Sequence, residues 1–165
     1  MSISRILPGL LLPVFFIASS AETQQVGKPA PPLDAKLLDG TSFSLASETG
    51  KVVIINFWAT WCQPCRAEMP ALNAYFLDHR AEGLVVLGVS VQSDKKAVKK
   101  VMDAFSYPVA LDSDASFKGY GRIWRVPLTF VIDRHDILRK KDWYGDPGID
   151  RSLLEKVVTP LLQEK

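Results

Sequence analysis

The sequence predicts an α/β fold in which helices cover both faces of one mixed β-sheet. Two continuous apolar runs rich in β-branched residues, 51–59 and 84–92, have the pattern of buried central strands, and a helical stretch separates them. Two strands joined by a short turn and a last helix then complete the chain. With 165 residues, 47% of them apolar and 23% charged, the chain is long enough to bury the core of one ordinary globular domain.

The first half of the domain is predicted to begin with a β-hairpin. The stretch "LLDGTSFSLAS", residues 37–47, has Asp-Gly between two short alternating runs, which is a turn signal. "KVVIINFWA", residues 51–59, follows as a buried strand. A helix is expected over residues 64–82, because Pro64 suits a first helical turn and Gly83 ends the apolar periodicity.

The second half continues the alternation of strands and helices. After the strand at 84–92, Ser93 or Asp94 is a candidate N-cap for a surface helix. The remaining elements are predicted as a helix at 93–105, a strand at 107–112, a short helix at 114–121, a strand at 127–133, its hairpin partner at 137–145 and a single helix at 148–165.

The N-terminal segment predicts export. Residues 1–21 have the order of a secretory signal peptide: Arg5, an apolar stretch over 6–17, and small residues before the expected cleavage site. The apolar stretch is too short for a spanning helix, which needs roughly 20 residues, so an uncleaved membrane anchor is the alternative. A proline-rich linker follows over 22–32, and the domain is expected over 33–165. We therefore expect a periplasmic or otherwise exported protein, soluble after cleavage, in a disulfide-permissive compartment.

Charge gives little indication of a polymeric partner. The formal net charge is +2, without the clustered basic face that nucleic-acid binding needs. We expect no nucleic-acid partner.

The chemistry is concentrated in "FWATWCQPCRAEMP", residues 57–70, which holds both cysteines of the chain. A thiolate is the nucleophile of disulfide exchange, and its availability depends on the thiol pKa. At a strand-to-helix junction, the helix dipole and free N–H groups favour the thiolate of Cys62, so its pKa should fall below the free value of about 8.5. Cys65, one turn later, is placed to resolve the mixed disulfide that Cys62 forms.

Three other roles compete for the two cysteines. A structural disulfide over so short a ring removes little entropy from the unfolded chain. A zinc site needs four ligands, and one Cys-x-x-Cys supplies two. A copper-binding metallochaperone module is the third, with Cys62, Cys65 and His135 as ligands, although a solvated turn histidine is the more common finding in "DRHDI".

These motifs resemble the thioredoxin-like proteins, and within them the exported TlpA/ResA type of thiol-disulfide oxidoreductase. The match runs over "NFWATWCQPCRAEMP", the preceding hairpin and "RVPLTFVID" at 125–133, and covers roughly residues 30–160. The resemblance implies a thioredoxin fold with an N-terminal β-hairpin extension and a redox-active disulfide between Cys62 and Cys65. It also implies a cis peptide bond before Pro127, which lies opposite the cysteines and presents the Val126 backbone to a substrate.

The resemblance also assigns roles to neighbouring side chains. Cytosolic thioredoxins carry a buried aspartate where this chain has Asn56, and an amide cannot shuttle a proton at neutral pH. Glu68 matches the acidic residue of the exported subfamily, and we expect it to assist deprotonation of Cys65; a solvated or salt-bridged carboxylate is the alternative.

From its position directly before Cys62, Trp61 is expected to shield the sulfur and contact a partner. Trp124, shortly before Pro127, is expected to widen the same surface, with ordinary packing of a loop aromatic as the alternative.

We therefore predict an exported thiol-disulfide oxidoreductase that acts on protein disulfides, without a metal or other cofactor, and as a monomer. Gln63-Pro64 between the cysteines resembles reducing members of the family. Such a reductase would be recycled by a membrane electron donor and act on apocytochromes, in cytochrome c biogenesis, or on other oxidised periplasmic proteins. A thiol peroxidase of the related peroxiredoxin type is the further alternative. Its Thr-x-x-Cys pattern fails, since Thr60 stands two residues before Cys62.

Overall fold

Seven strands within residues 24–141 and 148–164, the ranges that the computed structural model describes, form one mixed sheet. The strands are β1 (Asp34–Leu37), β2 (Ser42–Ser44), β3 (Val52–Trp58), β4 (Leu84–Ser90), β5 (Val109–Ser116), β6 (Leu128–Ile132) and β7 (Leu138–Lys140). The helices are α1 (Gln63–His79), α2 (Lys95–Met102), α3 (Arg151–Val157) and α4 (Thr159–Gln163). The sheet order is β2-β1-β5-β4-β3-β6-β7, with β3, β4 and β5 parallel and the other neighbours antiparallel. This is the predicted fold class.

The centre of the sheet is covered on both faces. All seven residues of β3 and all five of β6 are buried, although successive side chains of a strand point to opposite faces. Trp58 at the end of β3 is fully buried. A Cβ atom at Gly88 of β4 would lie 3.1 Å from Trp58 Nε1, so the glycine leaves room for the indole.

The predicted hairpin is present and extends the main sheet. In β1, Ala35 pairs with Phe43 of β2 on one side and with Ala115 of β5 on the other. The hairpin is therefore hydrogen-bonded into the sheet along both edges of β1.

Two sequence predictions of helices are wrong. Residues 114–116 belong to strand β5, in which Ala115 and Ser116 pair with β1, and only the 3-10 turn Lys118–Tyr120 remains of the helix predicted at 114–121. The single C-terminal helix predicted at 148–165 is divided into α3 and α4 around Val158. Pro160 explains the division, since it has no N–H to donate to the carbonyl four residues earlier.

The segment predicted as a linker, 22–32, is partly built into the fold. Gly27 N–H donates to Leu138 O at 2.8 Å, and Leu138 N–H donates to Lys28 O at 2.9 Å. Ala30 N–H donates to Asp136 O at 2.8 Å. The folded region therefore begins before residue 33, because these backbone groups find partners on β7 and the turn preceding it.

The predicted signal peptide, 1–21, lies outside the described residues. Across 24–141 and 148–164, no helix is both long and apolar enough to span a bilayer.

Candidate active site

Strand β3 and helix α1 place the two cysteines at their junction. Cys62 is the N-cap residue of α1, and Pro64 lies in the first turn, as the sequence predicts. The cysteines form a disulfide with their Cα atoms 5.3 Å apart. The Cys65 N–H donates to the Cys62 sulfur over 3.2 Å, so this sulfur takes the capping position at the positive end of the helix.

The two cysteines are both buried but differ slightly in exposure. Cys62 retains 5% of its surface exposed and Cys65 1%, so Cys62 is the cysteine that a partner reaches first.

The loop before Cys62 is held to the neighbouring loop after β4. Thr60 N–H donates to Ser93 Oγ at 3.2 Å, and Ser93 Oγ donates to Val91 O at 3.0 Å. Sequence reasoning considered Ser93 only as a helix cap, a role that Asp94 fills through Ala97 N–H at 2.9 Å. Ser93 instead holds the loop that leads from β3 to Cys62.

The proline that the resemblance assigns to the site follows a cis peptide bond, Val126–Pro127. Its location follows from strand register: Leu128 at the start of β6 pairs with Phe57 near the end of β3. Pro127 therefore lies beside the end of β3 from which the chain leads to Cys62. Val126 is half-buried there.

Two tryptophans expose their rings near these elements. Trp61, directly before Cys62, is 62% exposed, and Trp124, three residues before Pro127, is 72% exposed. The Arg125 guanidinium lies 4.7 Å from the centre of the Trp124 ring, a cation–π distance. Large exposed aromatic surfaces are suited to contact with a partner protein.

Glu68 is a buried carboxylic acid in the second turn of α1, 5% exposed. Its Oε1 accepts the Ile149 N–H at 3.0 Å, whereas Oε2 is buried without a hydrogen-bond partner. Burial raises the pKa of Glu68 above its ordinary value, and the Ile149 hydrogen bond opposes this in part. Residues three apart lie on the same helix face, so Glu68 is on the face of Cys65.

Gly148 makes room for this carboxyl group. A Cβ atom at position 148 would lie 2.6 Å from Glu68 Oε1 and 3.2 Å from its Cγ. No local pattern in the sequence indicates this contact, because Gly148 and Ile149 are about 80 residues from Glu68 along the chain.

Asn56 has a structural partner in the neighbouring strand. Its Nδ2 donates to Thr129 Oγ1 at 2.8 Å, and both residues are buried. The two are directly opposite in the β3–β6 register. Asn56 thus satisfies a buried hydroxyl group and carries no proton that could titrate near neutral pH.

The copper set proposed from the sequence is not assembled. Among the described residues, the one group of histidine, cysteine and carboxylate side chains with metal-binding proximity is Asp133, His135 and Glu164, and it contains neither cysteine. Its carboxylates are already engaged, since Arg139 donates to Asp133 Oδ2 at 2.8 Å and to Glu164 Oε2 at 3.3 Å. His135 is therefore removed from the redox pair by its place in the fold, in the turn between β6 and β7.

A Cys-x-x-Cys disulfide at a strand-to-helix junction of a mixed sheet, with a cis-proline beside it, defines a thioredoxin-fold protein of the thiol-disulfide exchange class. The model of the AhpC/TSA family matches residues 26–141. The chain belongs to this family.

Relatives and solved structures agree with this class. The chain is 35% identical over 118 residues to the thiol-disulfide oxidoreductase ResA of Geobacillus thermodenitrificans, a match that covers 70% of this chain and 67% of the relative. It is 34% identical over 120 residues to the thioredoxin-like protein YneN of Bacillus subtilis, covering 70% and 69%. The chain spans about two thirds of the length of the curated relatives it matches. The crystal structure of a thiol:disulfide interchange protein from Chlorobium tepidum, 30% identical, superposes with a TM-score of 0.73 over 84% of this chain and 98% of that one.

Proposed function

We propose that this protein is an exported thiol-disulfide oxidoreductase that reduces disulfides of client proteins. The observation that carries the proposal is the position of the Cys62 sulfur, which caps α1 by accepting the Cys65 N–H at 3.2 Å. Cys62 is also the more exposed residue of the pair. A sulfur in this position is stabilised as a thiolate after reduction.

The reaction has two exchange steps. The Cys62 thiolate attacks one sulfur of the client disulfide, forms the mixed disulfide and releases the other client sulfur as a thiolate, which takes up a proton. The Cys65 thiolate then attacks Cys62, closes the Cys62–Cys65 disulfide and releases the second client thiolate. The client gains two electrons and the protein loses two. A dithiol donor at the membrane would restore the reduced state.

Glu68 is the proposed proton acceptor for Cys65. Its burial, its elevated pKa and its unpartnered Oε2 on the Cys65 face of α1 support this role. A carboxyl group whose pKa moves towards neutrality is a better match for a thiol proton than an ordinary one. The Cys65 proton would pass to Oε2, directly or through a water molecule.

Client contact is assigned to the exposed surface around the cysteines. Trp61 and Trp124 offer apolar area, and the Val126 backbone before Pro127 offers hydrogen-bonding groups to an extended client segment. The name of the relatives, thiol-disulfide oxidoreductase ResA, supports disulfide exchange. Export is inferred from the signal-peptide order of residues 1–21, and apocytochromes are proposed as clients from the resemblance to the TlpA/ResA type.

The direction of electron flow is tested by the reduction potential together with turnover. The protein, equilibrated with dithiothreitol mixtures, should show a potential near the thioredoxin range of about −270 mV, and the reduced form should cleave the disulfides of insulin. A potential near about −120 mV would identify an oxidant and overturn the proposed direction. Consumption of hydrogen peroxide faster than of insulin disulfides would favour a peroxidase instead.

A further inference from the structure

A groove between α1 and α2 opens beside the redox pair. It has a volume of about 760 Å³. Thr60, Gln63 and Arg66 line it on the side of the cysteines, and Lys100, Val101 and Phe105 line it on the side of α2. Gln63 stands between the two cysteines in the sequence, so the groove borders the position where a client disulfide is attacked.

The lining is apolar with a positive charge on each side. The charges are those of Arg66 and Lys100. The apolar part of the lining consists of Ala67, Ala97, Val101, Ala104 and Phe105. Within the described part of the chain, none of the residues that line the groove carries a carboxylate. A groove that carries only positive charge and has apolar walls attracts a negatively charged ligand that also contains apolar side chains.

We infer that this α1–α2 groove binds the client segment next to the reacting disulfide, and that it selects segments carrying aspartate or glutamate beside apolar residues. The inference rests on the proposed function, because the groove has this use only if Cys62 attacks protein disulfides. The acidic side chains meet Arg66 and Lys100 while the apolar ones cover Val101 and Phe105. The charges raise the rate of encounter, and the groove holds the segment while Cys62 forms the mixed disulfide.

The groove lies on the α2 side of the cysteines and contains neither tryptophan of the exposed aromatic surface. An extended client chain that crosses Cys62 would thus meet aromatic contacts in one part and the charged groove in another. Because the Arg125 guanidinium at the Trp124 ring also carries a positive charge, variants of a groove residue are needed to locate the charge selectivity.

The test measures reduction of three disulfides by the reduced protein at low and high salt. Two are synthetic peptides with the same internal disulfide and apolar residues, flanked by two glutamates in one and two lysines in the other. The third is hydroxyethyl disulfide, which is neutral and too small to fill the groove. We expect the acidic peptide to react about tenfold faster than the basic one at about 50 mM salt, and the difference to shrink at about 500 mM.

Charge-reversal variants locate the selectivity. Lys100→Glu should lower the rate for the acidic peptide about fivefold, and Lys100→Gln about twofold, with the hydroxyethyl disulfide rate unchanged. Lys99→Glu is the matched control: it makes the same change in net charge one residue away, where the side chain lines a different depression together with Met102 and Tyr107. Its effect should be smaller than that of Lys100→Glu.

The outcomes separate the two proposals. Equal rates for the acidic and basic peptides would refute charge-selective client binding in the groove, and so would equal effects of Lys99→Glu and Lys100→Glu. Neither result would contradict thiol-disulfide exchange through Cys62. Failure of the wild-type protein to reduce hydroxyethyl disulfide as well as both peptides would refute the proposed function.

Discussion

Cys62 and Cys65 are chemically identical side chains to which the fold gives different surroundings. Cys62 precedes the first turn of α1 and accepts an N–H through its sulfur, whereas Cys65 lies inside the helix and is 1% exposed. The proposed order, attack by Cys62 and resolution by Cys65, therefore follows from the position of Cys62 at the start of a helix.

The substitution Glu68→Gln tests the role of this side chain as a proton acceptor. The amide keeps an oxygen for the Ile149 N–H but cannot take a proton, so the resolving step should slow by about tenfold to a hundredfold near pH 7. The measurement is the rate of insulin reduction between about pH 5 and pH 9. The loss should shrink at high pH, where Cys65 ionises without assistance; a profile identical to that of the wild type would contradict the role.

The stability of Glu68→Gln gives an independent readout of the buried carboxyl group. Because burial raises the pKa of Glu68, the folded state favours the protonated form, and wild-type stability is lost as pH rises from about 4.5 through the elevated pKa. Each unit of elevation corresponds to about 1.4 kcal/mol. In urea unfolding, the free energy of unfolding of the variant should rise relative to that of the wild type as the pH increases above about 4.5.

The matched control for this pH effect is Asp114→Asn, which changes an exposed carboxylate of β5. This variant should follow the wild type over the same pH range. An equal pH-dependent gain in unfolding free energy in both variants would indicate a general charge effect and not a buried acid at position 68.

The residues of the redox motif were predictable because their role is local in the sequence. The spacing of Cys62 and Cys65, and Pro64 in the first turn, is sufficient to place them at a helix start. The burial of Glu68 was not predictable in the same way, since it depends on Ile149, which contacts the carboxyl group from a distant part of the chain. The hydrogen bond between Asn56 and Thr129 was likewise not predictable, because it depends on the register of β3 against β6.

At the scale of elements, residues 148–150, directly before α3, pack against α1. Gly148 and Ile149 place backbone against Glu68, and Asp150 then caps α3 by accepting the Leu153 N–H at 2.8 Å. Residues 148–150 thus both cap α3 and contact the carboxyl group of Glu68.

Gly148→Ala should displace the Glu68 carboxyl group, because the added Cβ would lie 2.6 Å from Oε1. We expect a loss of about 1–3 kcal/mol in unfolding free energy and a pH profile of insulin reduction that moves towards that of Glu68→Gln. Gly119→Ala is the control: its Cβ would lie 2.2 Å from Pro31 Cβ and does not meet Glu68. It should destabilise the protein without changing the profile. A shifted profile in both variants, or in neither, would exclude a specific effect through Glu68.

Element prediction from sequence succeeded where hydrophobic pattern and local signals agree, as for β3, β4 and α1. It failed at the end of β5, because 114–116 has no strand-like hydrophobic pattern and continues the strand through the pairing of Ala115 and Ser116 with β1. It also failed at the C-terminal helix, where the apolar periodicity continues across Pro160 although the hydrogen bonding cannot.

For the whole molecule, the disulfide should add to the free energy of unfolding without being required for folding. The cysteines are three residues apart, and the chain-entropy model assigns about 2 kcal/mol to so small a ring. The core around β3, β4 and β6 is complete without it. The reduced protein should therefore stay folded, with a urea midpoint lower than that of the oxidised form by about 1 M. Unfolding on reduction would instead identify a structural disulfide.

The order of strands across the sheet was beyond prediction from the residues alone. Alternating strands and helices predict a mixed sheet, but the pairing of β1 with β5, and of β6 with β3, depends on how the whole chain packs. That pairing brings Pro127 beside the end of β3, some 65 residues after Cys62 in the chain.

The most direct test of thiol-disulfide exchange through Cys62 is the trapping of mixed disulfides in the native compartment. Cys65→Ser leaves Cys62 able to attack but removes the resolving thiol, so client proteins should stay attached and appear as adducts lost on reduction. Cys62→Ser, with the buried Cys65 as its one thiol, is the matched control and should trap little. Abundant adducts on Cys65→Ser alone are the predicted result; equal adducts on both variants, or none on Cys65→Ser, would contradict it.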